Sequence, residues 1–591
     1  MLRSHTCGEL RKEHQGQSVR LAGWVHRVRD LGGVVFVTLR DRYGLTQVVF
    51  HPETDQALTA RAQELHAEWV ILVAGAVQLR PGNMVNPEMD TGEIEVEATE
   101  LHVLNPSRVL PIPVDGFEEV GDELRLRYRY LDLRTSRMQR NLILRHRLSQ
   151  LVRNYASDHG FLEIETPFLM KSTPEGARDY LVPSRKHPGK FFALPQSPQT
   201  LKQILMISGF DRYFQIVKCF RDEDLRGNRQ PEFTQIDVEM AFADEDDVFG
   251  FAEGLMVAVC RQFLDWEPDT PFPRMGYDDA MRRFGTDKPD LRYGMEIRWL
   301  TDQFRDVPFQ TFQAVLEQGG EVAGLVLPGR AGCSRKELEK LQARAVDEDI
   351  GLKGLLPVRC RDGSWTGPLA KVMDEHRLEA LVQKAGAGHD DLLLLAADDA
   401  NRLRTGLGRL RVMWGKELKL IAPGSHSLHW VVDFPLLEWD EDRGQWSAEH
   451  HPFTAPVGDD LSELEKAPEK IRARAYDLVM DGHEVASGSI RIHRREVQDW
   501  LFRLIGIEAD EANRKFGFLL DAFEYGAPPH GGIAFGYDRL VMILCGEDSI
   551  TDVIAFPKTT AAVSLMDDAP SDVDDDTLKE LHLKLNLPRE R

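Results

Sequence analysis

No apolar run in this chain of 591 residues approaches the roughly 18 residues that a membrane-spanning helix needs, and the polar start MLRSHTCGEL does not read as a secretory signal. Cysteine is scarce. Cys7, Cys219, Cys260, Cys333, Cys360 and Cys545 lie far apart with no C-x-x-C pair, which argues against a zinc site and a disulfide framework and fits a reducing cytoplasm. Internal repeats are absent. Positive charge is also short, with 73 Lys and Arg against 96 Asp and Glu and a formal net charge of -23. Taken as a sum, that balance argues against a nucleic-acid partner, because neutralising phosphates needs clustered Lys and Arg. The cations are, however, clustered: residues 20–42 hold five Arg against two acids, and residues 124–147 hold eight Arg against Asp132 alone. Such stripes either track a phosphate backbone or form solvated faces.

What is present is the composition of a globular protein, 42% hydrophobic and 29% charged, long enough for several folded units. Strand-like alternation at 19–28, 33–41, 45–50, 69–79 and 92–104, with a helix-like stretch near 55–66, predicts a small closed barrel of the OB type over residues 1–106. The Pro-rich passage NPSRVLPIPVDG opens a linker over 107–136. Leu144, Leu148, Leu151, Val152 and Tyr155 recur at helical spacing and predict a helix over about 137–157, stopped by Gly160. Strands and hairpins follow, giving a first catalytic part at 137–285. Residues 286–424 change to helical and Gly-rich pieces that carry none of the chemistry on either side, and read as an inserted α+β domain. Strand-rich sequence resumes over 425–560, so the main domain is split. The tail, 561–591, holds six Asp between 567 and 576 and reads as an exposed extension. The fold class expected is α+β and multidomain.

Three segments carry the chemistry. FLEIETPFL (161–169) reads as a strand after the long helix, ending at Pro167 and followed by KSTPEGARD; alone it signals only a packed edge. YFQIVKCFRDEDLRGNRQPEFTQIDVEMAF (213–242) reads as an antiparallel hairpin whose second strand puts Phe233, Gln235, Asp237 and Glu239 on one face. That face is either a solvated sheet surface or a binding surface, since buried faces seldom carry so many polar groups without a ligand. Arg221, at the end of the first strand, has the planar fork that grips phosphate, and Phe233 has a ring that stacks on a base. GGIAFGYDRLVMILCG (531–546) runs from a glycine-rich strand into an apolar helix with Arg539 in its first turn, an anion-favouring arrangement in which Gly536 lets the backbone approach a ligand.

Two further local readings concern a metal and a stacking surface. In AYDLVMDGHEV (475–485) the Asp481-Gly482 pair signals a two-residue hairpin turn. Pairing Met480 with His483 and Asp477 with Ala486 makes Asp477 and Glu484 diagonal neighbours, either two exposed acids or a site for Mg2+ beside phosphate. In the barrel, Phe36 and Gln47 lie on successive strands, with Arg29 on the loop before them. Phe36 is either core or a platform for an unpaired base.

In this order and spacing the three segments resemble motifs 1, 2 and 3 of the class II aminoacyl-tRNA synthetases. STPEGARD, LPQSPQ, FRDEDLR, HHPFTAP, GSIRIH and YGAPPHGGIAFGYDR resemble the bacterial aspartyl-tRNA synthetases over nearly the whole chain. The resemblance implies an antiparallel catalytic sheet, a homodimer built through motif 1, and ATP, L-aspartate and tRNA as substrates with Mg2+. It implies that Arg221 holds the α-phosphate, that Phe233 and Arg539 sandwich adenine, and that Glu223, Gln230, Glu484, Gly536, Tyr537 and Asp538 complete the ATP site. Arg491 and Lys202, with His450 nearby, would hold the aspartate side chain, while Ser197, Gln199, Asp237 and Glu175 bind its backbone end. Arg29, Phe36, Gln47 and Glu93 would read the anticodon.

The rivals are a non-catalytic synthetase paralogue, which should have lost Arg221, Arg539, Asp477 or Glu484, and an asparaginyl-tRNA synthetase or ammonia-dependent asparagine synthetase, which fit the long insertion poorly. Relaxed members of the family, which also charge tRNA-Asn, often read Arg-Asp-His-Gly-Gly where this chain has Leu31 in RVRDLGG. Gly82, in the nearby loop, is of the relaxed kind. With Leu31 weighted more, the expectation is a preference for tRNA-Asp.

Overall fold

Period-two alternation builds the N-terminal unit. In the strand Val34–Asp41, Val35, Val37 and Leu39 are buried while Phe36 and Thr38 between them are only half-buried. The chain, a computed structural model, is described over residues 2–114, 120–173, 177–223, 225, 229–361, 364–458 and 460–587. It divides into two compact units, Met1–Arg140 and Asn141–Arg591.

In the first unit five strands close a barrel in the order Ser18–Leu31, Val34–Asp41, Gly44–Phe50, Ile94–Asn105 and Val70–Leu79. The helix Gln56–Gln63 is capped by Asp55, which accepts from the Leu58 N–H at 2.9 Å, and adds Leu58 and Ala62 to the barrel core. Much of the basic stripe is committed within the protein. Arg40 reaches both oxygens of Glu68 at 2.7 and 2.8 Å, Arg134 reaches Glu68 at 2.9 Å, and Arg125 and Arg129 both hold Asp132. These arginines are therefore structural and do not form the free phosphate track that their clustering allowed.

The second unit contains an eight-stranded sheet in the order Arg274–Gly276, Leu428–Val432, Ala475–Met480, His483–Ile490, His530–Gly536, Glu232–Ala241, Arg212–Phe220 and Leu162–Glu163. Its six inner strands pair antiparallel, but both edge strands pair parallel with their neighbours. The strand expected over 161–169 is only Leu162–Glu163, followed by a backbone hydrogen bond from the Ile164 N–H to the Phe214 carbonyl at 3.3 Å. The helix Ser136–Asp158 buries Leu148, Val152 and Ala156 in the core beneath the sheet, together with Val238, Ile533, Phe535 and Leu540. It ends where the Phe161 N–H reaches back to the Ala156 carbonyl at 3.0 Å.

The inserted segment forms its own five-stranded sheet, in the order Arg298–Trp299, Glu321–Leu327, Leu392–Asp398, Leu356–Arg361 and Ser364–Thr366. Leu392 and Leu394 enter one hydrophobic cluster and Leu393 and Leu395 another, so the run of leucines is covered on both faces. Among the described residues, no helix is long and apolar enough to cross a membrane.

Candidate active site

The strand Glu232–Ala241 supplies the floor of the site. It pairs with Arg212–Phe220 on one side and His530–Gly536 on the other, with Asp237 opposite Gln215 and Ala534, and Glu239 opposite Tyr213 and Gly532. Phe233, Gln235 and Asp237 line a cavity of about 550 Å³, and Glu239 lies behind them, fully buried. A Cβ on Gly532 would lie 2.1 Å from Oε2 of Glu239, so only glycine leaves room for that carboxylate.

At this end four charges meet. Lys202, on the helix Gln199–Ile207, donates from Nζ to Asp237 at 2.6 Å and stands 3.2 Å from Glu239. Arg491 donates from Nε and Nη2 to the two oxygens of Glu239 at 3.0 and 3.1 Å, and from Nη1 to Ser489 Oγ at 2.6 Å and His451 Nε2 at 2.7 Å. Burial raises the Glu239 carboxyl, but Arg491 and then Lys202 outweigh it and hold the group down to about 2. For Asp237 burial wins over Lys202, and the carboxyl is raised. Burial, reinforced by Arg491, depresses His451 well below the ordinary histidine range and keeps it neutral. The fork of Arg491, a residue that the resemblance assigns with Lys202 to the aspartate side chain, is taken up by Glu239. Four of its five N–H groups are committed, and one on Nη2 remains. Oδ2 of Asp237 is buried and has no hydrogen-bond partner, an acceptor suited to an ammonium group.

The other end of the cavity is more open. Arg221 lies 5.2 Å from the centre of the Phe233 ring, and Arg539 donates to the Glu484 carbonyl from the helix Tyr537–Cys545. Asp481 and Gly482 have φ of 54° and 80°, the two positive values of the tight hairpin turn their sequence implied. The register differs from the sequence expectation. Met480 pairs with His483, but a bulge between Leu478 and Val479 pairs Asp477 with Ser487, not Ala486. Glu484 faces Val479, so the two acids remain diagonal neighbours and both line the cavity. Oδ1 of Asp477 is buried without a hydrogen bond, 3.7 Å from Nε2 of His450. Burial, then Asp477, raises Glu484 despite Arg539 and Lys288. Two carboxylates that repel each other, one of them with an orphaned oxygen, fit a hard divalent cation.

Ser197, Gln199, Glu223, His450 and Gly536 also line the cavity. Gln230 does too, but both ends of its amide are tied to the backbone of Lys558, at 3.0 and 2.8 Å. Asp538 accepts from Arg145 at 2.6 Å and from the Thr234 N–H at 2.7 Å, fixing the helix to the floor strand. Tyr537 is turned away from the cavity. It is buried, donates to the Arg145 carbonyl and lies under that guanidinium, because its neighbour Arg539 takes the helix face that meets the cavity. Glu175 falls outside the described residues. Sequence reasoning passed over His451, Ser489, Gln203, Glu449 and Asp287. The helical spacing of Gln199 and Gln203 could have pointed to Gln203, which joins Gln199 to His530 through hydrogen bonds of 3.1 Å each.

On the barrel, Arg29 lies within the strand Ser18–Leu31 and not on a loop, directly opposite Phe36. Phe36 faces outward with Arg29, so it is not core. Arg29 donates to Gln47 at 3.2 Å, and Gln47 donates to Glu95 at 2.8 Å. Glu93 precedes the strand Ile94–Asn105 and is exposed, and Glu95 is the acid that meets Gln47.

The description "tRNA synthetases class II (D, K and N)" matches residues 121–560, and "OB-fold nucleic acid binding domain" matches 19–104. The chain is 50% identical over 585 residues to an aspartate-tRNA(Asp/Asn) ligase of Caldanaerobacter subterraneus subsp. tengcongensis, covering 99% of this chain and 98% of that one. It is 52% identical over 592 residues to a protein of the same name in Thermotoga maritima, covering 99% and 100%. In fold it is similar to the asparaginyl-tRNA synthetase of Pyrococcus horikoshii complexed with asparaginyl-adenylate, with a TM-score of 0.60 at 19% identity over 95% of this chain and 99% of that one. The motifs, the eight-stranded sheet and these likenesses agree, and the chain belongs to the class II tRNA synthetases of the D, K and N group, within the aspartate-tRNA ligases.

Proposed function

We propose that this chain activates L-aspartate with ATP as an aspartyl-adenylate and transfers it to the 3′-terminal adenosine of tRNA-Asp and also of tRNA-Asn. One observation carries the reading: a single cavity joins a buried Lys202–Asp237–Glu239–Arg491 cluster to a half-open end where Arg221, Arg539, Asp477 and Glu484 meet. The orphaned oxygen of Asp237 receives the substrate ammonium, and Lys202 with the remaining N–H of Arg491 meets the side-chain carboxylate. Arg221 holds the α-phosphate, and adenine lies between Phe233 and Arg539. Ser197, Gln199 and His450 surround the amino acid. Asp477 and Glu484 would hold Mg2+, which would supply charge neutralisation along the triphosphate. The substrate carboxylate attacks the α-phosphorus, pyrophosphate leaves, and a ribose hydroxyl then displaces AMP. No protein nucleophile is needed, and the arginines act by positioning and charge stabilisation.

The wider tRNA choice is supported by the names of the relatives, which include both tRNAs. Leu31, which favours the strict reading, is 61% exposed at the end of its strand, and Gly82 has open space around it. The homodimer is supported by exposed Leu162, Phe168 and Leu169 in the motif 1 segment. The test is aspartate-dependent ATP-pyrophosphate exchange, followed by charging of two transcripts that differ only in C or U at the third anticodon base. Comparable kcat/KM for both is the expected result. A preference of orders of magnitude for the tRNA-Asp transcript would restore the strict reading.

A further inference from the structure

Period two along His530–Gly536 puts His530 on the face of Gly532 and Ala534, one pair beyond the Glu239 position on the cavity floor. Its ring is fully buried, and Nδ1 lies 2.7 Å from the carbonyl of Pro528, in a turn whose next residue, Pro529, accepts from the Phe242 N–H at 2.6 Å. A carbonyl only accepts, so Nδ1 carries the proton. Burial pushes the ring below the ordinary histidine range, against the pull of Glu239 and the Pro528 carbonyl, and keeps it neutral. Nε2 is then bare and acts as an acceptor. Its partner at 3.1 Å is Nε2 of Gln203, which donates. Oε1 of Gln203 is left to accept from Nε2 of Gln199 at 3.1 Å, one helical turn away.

Each link fixes the sense of the next, and the last of them reaches the cavity. Gln199 lines it, and Oε1 of Gln199 has no hydrogen-bond partner among the described residues. Lys202, on the same face of the same helix, holds one oxygen of Asp237 at 2.6 Å and leaves the other, Oδ2, buried and unpartnered. That oxygen is the acceptor given above to the substrate ammonium. An amide turned end for end has almost the same shape, but sets an NH2 group where the oxygen stands and so opposes a cation that the oxygen would bind. We propose that His530, acting through Gln203, is a positioning residue that turns the Gln199 carbonyl oxygen toward the substrate ammonium, and so selects aspartate over the same dicarboxylate without its amine.

This inference rests on the proposed function, and the experiment separates the two. Calorimetric Kd values for L-aspartate and for succinate, which is aspartate without its amine, are measured for the wild type, Gln203→Met and Gln203→Glu, together with kcat for aspartate in the exchange reaction. Gln203→Met keeps the volume and breaks the relay, so it should weaken aspartate by about tenfold, the worth of one hydrogen bond to a charged group. Succinate binding and kcat should be unchanged. Gln203→Glu offers Gln199 an accepting oxygen whichever way it turns, with the His530 ring taking up a proton to meet it, and should keep the wild-type preference for aspartate. This second variant decides the matter if Gln203→Met does not fold. Equal weakening of aspartate and succinate would make Gln203 a support of the pocket alone. An unchanged aspartate Kd in Gln203→Met, or a lost preference in Gln203→Glu, would overturn the relay. A wild type that does not bind L-aspartate would overturn the function itself.

Discussion

At the end of the cavity proposed for the amino acid, Lys202, Asp237, Glu239 and Arg491 have side chains no more than 3% exposed and satisfy one another almost completely. At the end proposed for the nucleotide, Arg539 and Glu484 are about a third exposed, at 31% and 33%, stand 3.7 Å apart, and sit beside an Asp477 oxygen with no hydrogen bond. Both ends carry opposite charges in one cavity, yet only the first is finished by folding alone. The difference follows from what each must bind. An amino acid is small and is distinguished by fixed dipoles, so its site is built in advance and its desolvation cost is met in folding. A nucleotide brings several negative charges and a cation, which complete the second site when they arrive.

The largest expected effect breaks the finished end. Arg491→Leu leaves Glu239 buried with Lys202 as its only ion-pair partner among the described residues, which costs about 3–5 kcal/mol of stability and removes aspartate binding. Denaturant unfolding and aspartate Kd measure the two. The double variant Arg491→Leu/Glu239→Gln should regain much of the stability and none of the binding. Stability loss without weaker aspartate binding would show that Arg491 supports the cavity without touching substrate.

The open end should respond in the opposite sense. Arg221→Ala or Arg539→Ala is expected to lower exchange kcat by about 100- to 1,000-fold, while unfolding changes by about 0.5 kcal/mol or less, since neither residue sits in a buried cluster. A large stability loss in either variant would erase the contrast between the ends.

Phe36→Ala lies in the other unit and serves as a control for both. Exchange should be unchanged, and kcat/KM for tRNA should fall about tenfold through loss of one stacking surface. Equal loss of both activities would place Phe36 in a structural role.

The smallest effect concerns a buried group without a hydrogen-bond partner. His429 lies opposite Val479 in the strand next to Asp477, with both ring nitrogens buried and unpartnered, and burial lowers it to about 4. The unfolded chain takes up its proton near 6.5, so this residue is silent above that pH and costs stability as pH falls toward 4. Between pH 7 and 5.5 the wild type should lose about 1 kcal/mol relative to His429→Leu. Parallel pH profiles would mean that the ring is hydrated.

Much of this was legible in the sequence because it depends on neighbours along the chain. Alternation in 232–241 put Phe233, Gln235 and Asp237 on one face, and Asp481-Gly482 announced its turn. Tyr537 was misplaced because a motif names consecutive residues, whereas a helix turns each by about 100° and gives the cavity only one of its faces. The Asp477 pairing was wrong by one residue because a bulge leaves no local signature in a strand of uniformly buried residues.

The sequence by itself determined the barrel, the motif faces and the family, since periodicity, turn chemistry and residue order are local properties. Only the tertiary structure decided that Glu239 takes the fork of Arg491, that Arg40 and Arg134 share Glu68, and that Gln203 meets His530. Those partners lie tens to hundreds of residues apart. Which of several compatible charges meet depends on how strands and helices pack, a choice made by burial and register across the whole fold.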